Sequence, residues 1–336
     1  MQQSHAPRPL PLFLELVRME ARANPEMAAK ALEGLARYEA APRVRTRLER
    51  PAIAANGPAK LRDCGGSGAP AVLVPSLINP PHILDLDAEV SLADAVAGMG
   101  RRALLLDWAK ASERPDLSLG GHVERLLLPL LRELDEAPAL IGYCLGGTMA
   151  VAVANLMPVE RVATLAAPWQ FAGYPAQSRE SLRRLWESAR ASAEPLGALP
   201  MEVLQSAFWS LDPQRTVAKF AGFAELPSGS DNARRFVTLE DWANEGEPLP
   251  LPAARELIED LFGADLPGGG NWRVGPQVMT DRLDCPQLSV TASNDRITPA
   301  ATAPSGAAVR IDAGHVGMIV GSARKKLHEV ITTFLA

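Results

Sequence analysis

The apolar positions change their spacing twice along the chain, and the changes divide it. From Leu10 to Tyr38 they recur every three or four residues, as Leu12, Leu16 and Met19 and then Met27, Ala31, Leu35 and Tyr38, with Asn24-Pro25 between the two runs. That spacing predicts two amphipathic helices, an N-terminal arm that packs on the body or is offered to a partner. Arg43, Arg45, Arg47 and Arg50 follow and read as a short solvated basic connector. After Pro51 the stripes give way to short apolar runs at 59–62, 71–74, 103–106, 139–142, 162–166, 288–291 and 308–311, which read as strands. Helical spacing falls between them at 91–99, 122–134 and 148–157, and closes the chain at 322–334, where Ser322 is the expected cap and Leu327, Val330, Ile331 and Phe334 share a side. Strands alternating with helices predict an α/β fold with a mostly parallel sheet and helices on both faces.

Between Pro168 and about Met279 the alternation lapses, and five of the six tryptophans, Trp169, Trp186, Trp209, Trp242 and Trp272, fall there. An aromatic-rich insertion of this size reads as a cap that excludes water and shapes a pocket, or as a segment whose tryptophans fill its own small core. The expected organisation is therefore a helical arm at 1–50, a core at 51–168 and 280–336, and a cap or lid at 169–279.

The stretch Leu140-Ile141-Gly142-Tyr143-Cys144-Leu145-Gly146-Gly147-Thr148 supplies the chemistry. An apolar strand runs into a glycine-flanked cysteine and then a small-residue helix, the arrangement by which an α/β-hydrolase sheet displays its nucleophile on a sharp turn, with cysteine in place of serine. A thiol needs a base and the base needs an orienting carboxylate, in the chain order nucleophile, acid, histidine. Asp295, at the end of an apolar strand, and His315, 20 residues further on and just past the last strand, satisfy that order. Asp312 is the competing acid. The backbone N–H of Leu145, directly after the nucleophile, is the expected first oxyanion donor, and Leu77 or Ile78, on the loop after an apolar strand, the second. Asn79, His82 and Trp169 are further candidates near the substrate. His5, His122 and His328 read as surface residues, and Cys64 and Cys285 as structural.

Composition narrows the field. With 336 residues, 47% of them hydrophobic, the chain can bury a sizeable core, and a net charge of −5 with both signs interspersed gives no footprint for nucleic acid. The first residues lack a signal-peptide pattern, no apolar run is long enough to span a membrane, and three dispersed cysteines suggest neither a disulfide framework nor a zinc site. A cytoplasmic enzyme without a metal or redox cofactor is the resulting expectation.

These motifs together resemble the polyhydroxyalkanoate synthases. The likeness spans most of the chain from about residue 55 and rests on Val74-Pro75-Ser76-Leu77-Ile78-Asn79 with Ile83-Leu84-Asp85-Leu86, on Leu105-Leu106-Asp107-Trp108, on the cysteine turn, on Leu239-Glu240-Asp241-Trp242-Ala243-Asn244, on Asn294-Asp295-Arg296-Ile297-Thr298-Pro299, and on Gly314-His315-Val316-Gly317-Met318. The resemblance implies that Cys144 is acylated by a 3-hydroxyacyl-coenzyme A, that His315 is the general base, and that Asp295 assists the histidine or the hydroxyl of a growing polyester. Coenzyme A would be a leaving group, not a cofactor. The resemblance also implies a granule surface as a location and a homodimer or a second synthase subunit as partner. The rival readings are a thioesterase or intracellular depolymerase, in which water takes the place of the hydroxyl, and a non-catalytic granule-associated protein.

Overall fold

The computed structural model describes residues 5–43 and 49–336; Arg45 and Arg47 of the basic connector lie outside them. The chain forms two compact units, one of the described residues up to 43 with Pro200–Gly246, the other of residues 49–199 with Glu247–Ala336.

The second unit holds an eight-stranded sheet. Its strands are β1 (Ala52–Asn56), β2 (Ala59–Asp63), β3 (Pro70–Val74), β4 (Arg102–Asp107), β5 (Ala139–Tyr143), β6 (Arg161–Leu165), β7 (Gln287–Ala292) and β8 (Ala307–Ile311), in the order β1-β2-β4-β3-β5-β6-β7-β8. Strand β2 is antiparallel to β1 and β4, and every pairing from β4 through β8 is parallel. This is the α/β-hydrolase fold. All five residues of β3 and of β5 are buried, as they must be where helices cover both faces of a sheet. The covering helices include Leu92–Gly98, a helical stretch over 119–132, Leu145–Leu156 and Arg324–Leu335.

Strand β1 was not expected. Its alanines are mostly exposed and carry no apolar alternation, so its strand character comes from pairing with β2 alone. Helix boundaries also move. The stretch expected at 122 begins at Leu119, because the Ser118 side chain accepts the Gly121 N–H at 3.1 Å and caps it there. The final helix starts at Arg324 with no side-chain cap, not at Ser322, because residues 321–323 form the turn that ends the short helix Gly317–Val320. Leu327, Ile331 and Leu335 are its buried residues.

The first unit is helical. Helices Leu10–Ala23 and Pro25–Ala40 are separated at Asn24, whose side chain accepts the Met27 N–H at 3.1 Å and caps the second. They pack with Met201–Ser210, Pro213–Glu225 and Asp231–Asn244 around Phe13, Val17, Tyr38, Trp209, Phe220 and Phe223. The first stripe is therefore centred on Phe13 and Val17, with Leu12 and Leu16 on its flanks and Met19 exposed. The described arginines of the connector are not solvated. Arg43 pairs with Asp241 at 3.1 Å and lies 4.6 Å from the centre of the Tyr38 ring, while in the other unit Arg50 pairs with Asp85 at 2.9 Å. Among the described residues no helix is long and apolar enough to cross a membrane.

Candidate active site

Strand β5 ends at Tyr143 and the next helix begins at Leu145, so Cys144 alone makes the turn. Its φ of 54° and ψ of −130° lie where non-glycine residues rarely sit. The neighbours hold it there: its N–H donates to Leu165 C=O at 2.9 Å and its own carbonyl accepts the Gly147 N–H at 2.8 Å. Gly146 permits the close approach behind it, since a Cβ there would lie 2.0 Å from the Val74 carbonyl oxygen and 2.6 Å from that of Pro75. The loop after β3 is thereby set against the first turn of the cysteine's helix. Leu145 opens that helix, so its N–H has no acceptor within the helix.

His315 reaches the same turn from the loop after β8. Its Nδ1–H donates to Asp295 Oδ2 at 2.7 Å, with the Thr298 hydroxyl 3.2 Å from the same nitrogen, and Cys144 is its electrostatic neighbour on the turn. Asp295 is oriented by its other oxygen, which accepts the Ile297 and Thr298 N–H groups, each at 2.8 Å. Asp312 is engaged elsewhere: its Oδ1 accepts from Ser293 Oγ at 2.8 Å and Asn294 Nδ2 at 3.1 Å, which ties the two loops together. Tyr143 lies under the imidazole, ring centres 5.0 Å apart.

Burial opposes the charged form of His315, but the sulfur of Cys144 and the carboxylate of Asp295 outweigh it and hold its pKa above the ordinary value. The folded chain therefore keeps a proton on His315 that the unfolded chain releases near pH 6.5. Stability from this pairing is complete below about pH 6.5 and is lost as pH rises through the raised value. In Asp295→Asn that loss should flatten, as read by urea unfolding at a series of pH values.

The remaining candidates are placed as follows. Asn79 and His82 are half-buried on the loop and short turn after β3, and burial lowers the His82 pKa against the opposing pull of Asp85. Ile78 N–H donates to Ser76 Oγ at 3.4 Å, and the carbonyls of Leu77 and Ile78 both accept hydrogen bonds. Trp169 is 1% exposed, its ring edge-on to Trp272 at 5.6 Å and its backbone N–H donating to Thr302 C=O at 2.6 Å.

Three features escaped the sequence reading. Tyr174 is buried, with Cys144 and Asp295 as its electrostatic neighbours. Thr298 shares the His315 nitrogen, and its place three residues after Asp295 was the available signal. His122 is not a surface residue: it is fully buried, with Trp108 edge-on to it at 5.7 Å and Arg114 Nη1 2.8 Å from its Nε2. Burial, then the Arg114 charge, push its pKa down to about 3.

No family model matches the chain. Curated relatives do: the poly(3-hydroxyalkanoate) polymerase subunits PhaC of Haloferax mediterranei (27% identical, covering 75% of this chain and 55% of that protein) and Haloarcula marismortui (28%, 75% and 57%). That of Allochromatium vinosum is 23% identical over 79% of this chain and 80% of its own length. The chain is similar to the poly(3-hydroxyalkanoate) polymerase subunits over most of its length. It spans little more than half the length of the two haloarchaeal proteins. Among solved structures, a hydrolase from Pseudomonas aeruginosa PA01 aligns with a TM-score of 0.45 (18% identity, 83% of this chain and 94% of that one). An alpha/beta hydrolase fold protein from Nakamurella multipartita aligns at 0.46 (15% identity, 82% and 95%).

Proposed function

We propose that the chain is an acyltransferase of the poly(3-hydroxyalkanoate) polymerase type, with Cys144 as nucleophile, His315 as proton carrier and Asp295 as the group that orients it. The observation that carries this reading is the buried His315–Asp295 pair, with Cys144 as the electrostatic neighbour of that histidine on a strained turn behind which a helix N-terminus opens. The names of the relatives supply the substrate class.

The Cys144 thiolate attacks the carbonyl carbon of a 3-hydroxyacyl-coenzyme A. The oxyanion that forms is met by the Leu145 N–H and by an amide of the Leu77–Ile78 loop. The carbon–sulfur bond to coenzyme A breaks, and the departing thiolate takes the proton held on His315. A hydroxyl of the acceptor then attacks the enzyme thioester, gives its proton to His315, and releases Cys144 as thiolate. Sulfur suits this sequence, because exchange of one thioester for another is close to thermoneutral and leaves the acyl group activated. Asn79, His82 and Trp169 belong to the substrate side of the site. A cytoplasmic location at polyester granules, with a homodimer or a second synthase subunit, completes the proposal.

Incubation with 3-hydroxybutyryl-coenzyme A, with mass analysis of protein and product, tests it. The expected result is coenzyme A release, an acyl adduct on Cys144, and ester-linked oligomers. Free 3-hydroxybutyrate with no oligomer would establish a hydrolase instead, and absence of any adduct on Cys144 would remove the covalent mechanism.

A further inference from the structure

The loop between β3 and the turn at Pro81–Leu84 is held by its carbonyl oxygens from three directions. Pro75 C=O accepts the indole N–H of Trp108 at 3.0 Å, Leu77 C=O accepts Arg114 Nη2 at 3.4 Å, and Ile78 C=O accepts the backbone N–H of Glu247 at 2.8 Å. The Glu247 carboxylate in turn accepts the Ala111 N–H at 3.3 Å, which joins the segment carrying Arg114 to the same frame. Carbonyls of Val74 and Pro75 meet the helix of Cys144 at Gly146, so this clamped loop borders the nucleophile's turn.

Arg114 is the unusual member. It is 3% exposed, and the hydrogen-bond partners of its guanidinium are neutral: the Leu77 carbonyl and His122. The roles at His122 follow from its other nitrogen. Ser118 C=O lies 2.6 Å from Nδ1 and can only accept, so Nδ1 carries the proton and Nε2 receives the Arg114 N–H. Burial pulls the Arg114 pKa down to about 10, with the carboxylates of Glu247, Asp107 and Glu113 acting the other way, and the guanidinium keeps its charge at neutral pH. Placing a buried cation on neutral acceptors is costly, and a guanidinium serving only to fill space would be replaceable by an apolar side chain.

What the cation does gain is a grip on one peptide. In a trans peptide the N–H points away from the C=O, so the donor that fixes the Leu77 carbonyl also fixes the direction of the Ile78 N–H, whose long bond to Ser76 Oγ, 3.4 Å, an oxyanion would replace. A charged donor on the carbonyl polarises the amide and strengthens the bond its N–H can give. We propose that Arg114, held by His122, is a positioning residue that orients and polarises the Leu77–Ile78 peptide so that the Ile78 N–H serves as the second oxyanion donor beside Leu145. This rests on the acyl-transfer reading of Cys144. The contribution is realised when the carbonyl oxygen of the substrate becomes an oxyanion, so it belongs to the rate of acylation and not to substrate binding.

The test compares full-length wild type, Arg114→Met, Arg114→Lys and His122→Leu with 3-hydroxybutyryl-coenzyme A. Its readouts are the single-turnover rate of acyl adduct formation on Cys144, its dependence on substrate concentration, and the circular dichroism of each variant. Arg114→Met is expected to slow acylation about 100-fold with half-saturation moving less than about twofold, the pattern of a lost oxyanion donor. Free guanidinium at sub-denaturing concentration should recover much of the loss, and Arg114→Lys, which keeps a charged donor, should fall between. His122→Leu, which leaves the guanidinium in place without its second acceptor, should slow acylation by about tenfold and covers the case in which Arg114→Met does not fold. Acylation by folded Arg114→Met or His122→Leu at the wild-type rate would overturn the inference, as would a loss expressed wholly in half-saturation or one that neither guanidinium nor lysine relieves. A wild type that forms no adduct would instead defeat the acyl-transfer reading itself.

Discussion

Cys144→Ala is expected to abolish coenzyme A release and the acyl adduct, a loss of about 10⁴-fold or more, while circular dichroism stays that of the wild type. The fold should survive because Cys144 lends it little beyond backbone: its N–H and C=O bonds to Leu165 and Gly147 persist in alanine. Cys144→Ser is the more informative partner. A hydroxyl is not ionised by a neighbouring imidazole at rest, so His315 must remove its proton during the attack, and acylation becomes slow. The serine ester that results lies lower in energy than the thioester it came from. The variant should therefore release at most one equivalent of coenzyme A per chain and retain the acyl group, as seen by intact-protein mass. Sustained turnover by Cys144→Ser would mean that the sulfur is not needed for the second transfer.

Gly146→Ala should carry the second large effect, this time on the fold. The new methyl group would stand 2.0 Å from the Val74 carbonyl oxygen and 2.6 Å from that of Pro75. Neither neighbour is the end of a flexible side chain; Val74 is fully buried in a strand paired on both sides, so β3 or the helix must shift. The cost is about 3 kcal/mol or more, at the upper end of what overpacking exacts, and would lower the melting transition by several degrees. Because the same shift displaces the oxyanion loop, residual acylation should fall further than stability alone predicts. A melting temperature within about a degree of wild type would show that the loop and helix are not packed as described.

How far the sequence could be read depended on whether a feature was local. Cys144 and its turn were legible because strand, glycines and helix are contiguous, and every apolar run of the sheet with two buried faces announced itself. Strand β1 did not, since Ala52, Ala54 and Ala55 lie mostly open to solvent at an edge and only their partner on β2 makes them a strand. The choice between Asp295 and Asp312 was open in one dimension because both stand near His315 in the chain; it is the Ile297 and Thr298 amides that turn Asp295 toward the imidazole, while Ser293 and Asn294 occupy Asp312. His122 read as an ordinary helix-start histidine, and nothing in its neighbours announced a buried arginine eight positions earlier as its partner. The helices at 201–244 likewise gave no sign that their core would be shared with Phe13, Val17 and Tyr38.

The three cysteines differ in a way that can be put to use. Cys64 is buried, and burial followed by Asp284 raises the pKa of the Cys285 thiol, whereas Cys144 is half-buried with His315 as its electrostatic neighbour. An alkylating reagent at neutral pH thus meets one favoured target. The moles of label taken up per mole of chain would count correctly assembled sites directly, independent of any substrate, and would give preparations of different variants a common denominator.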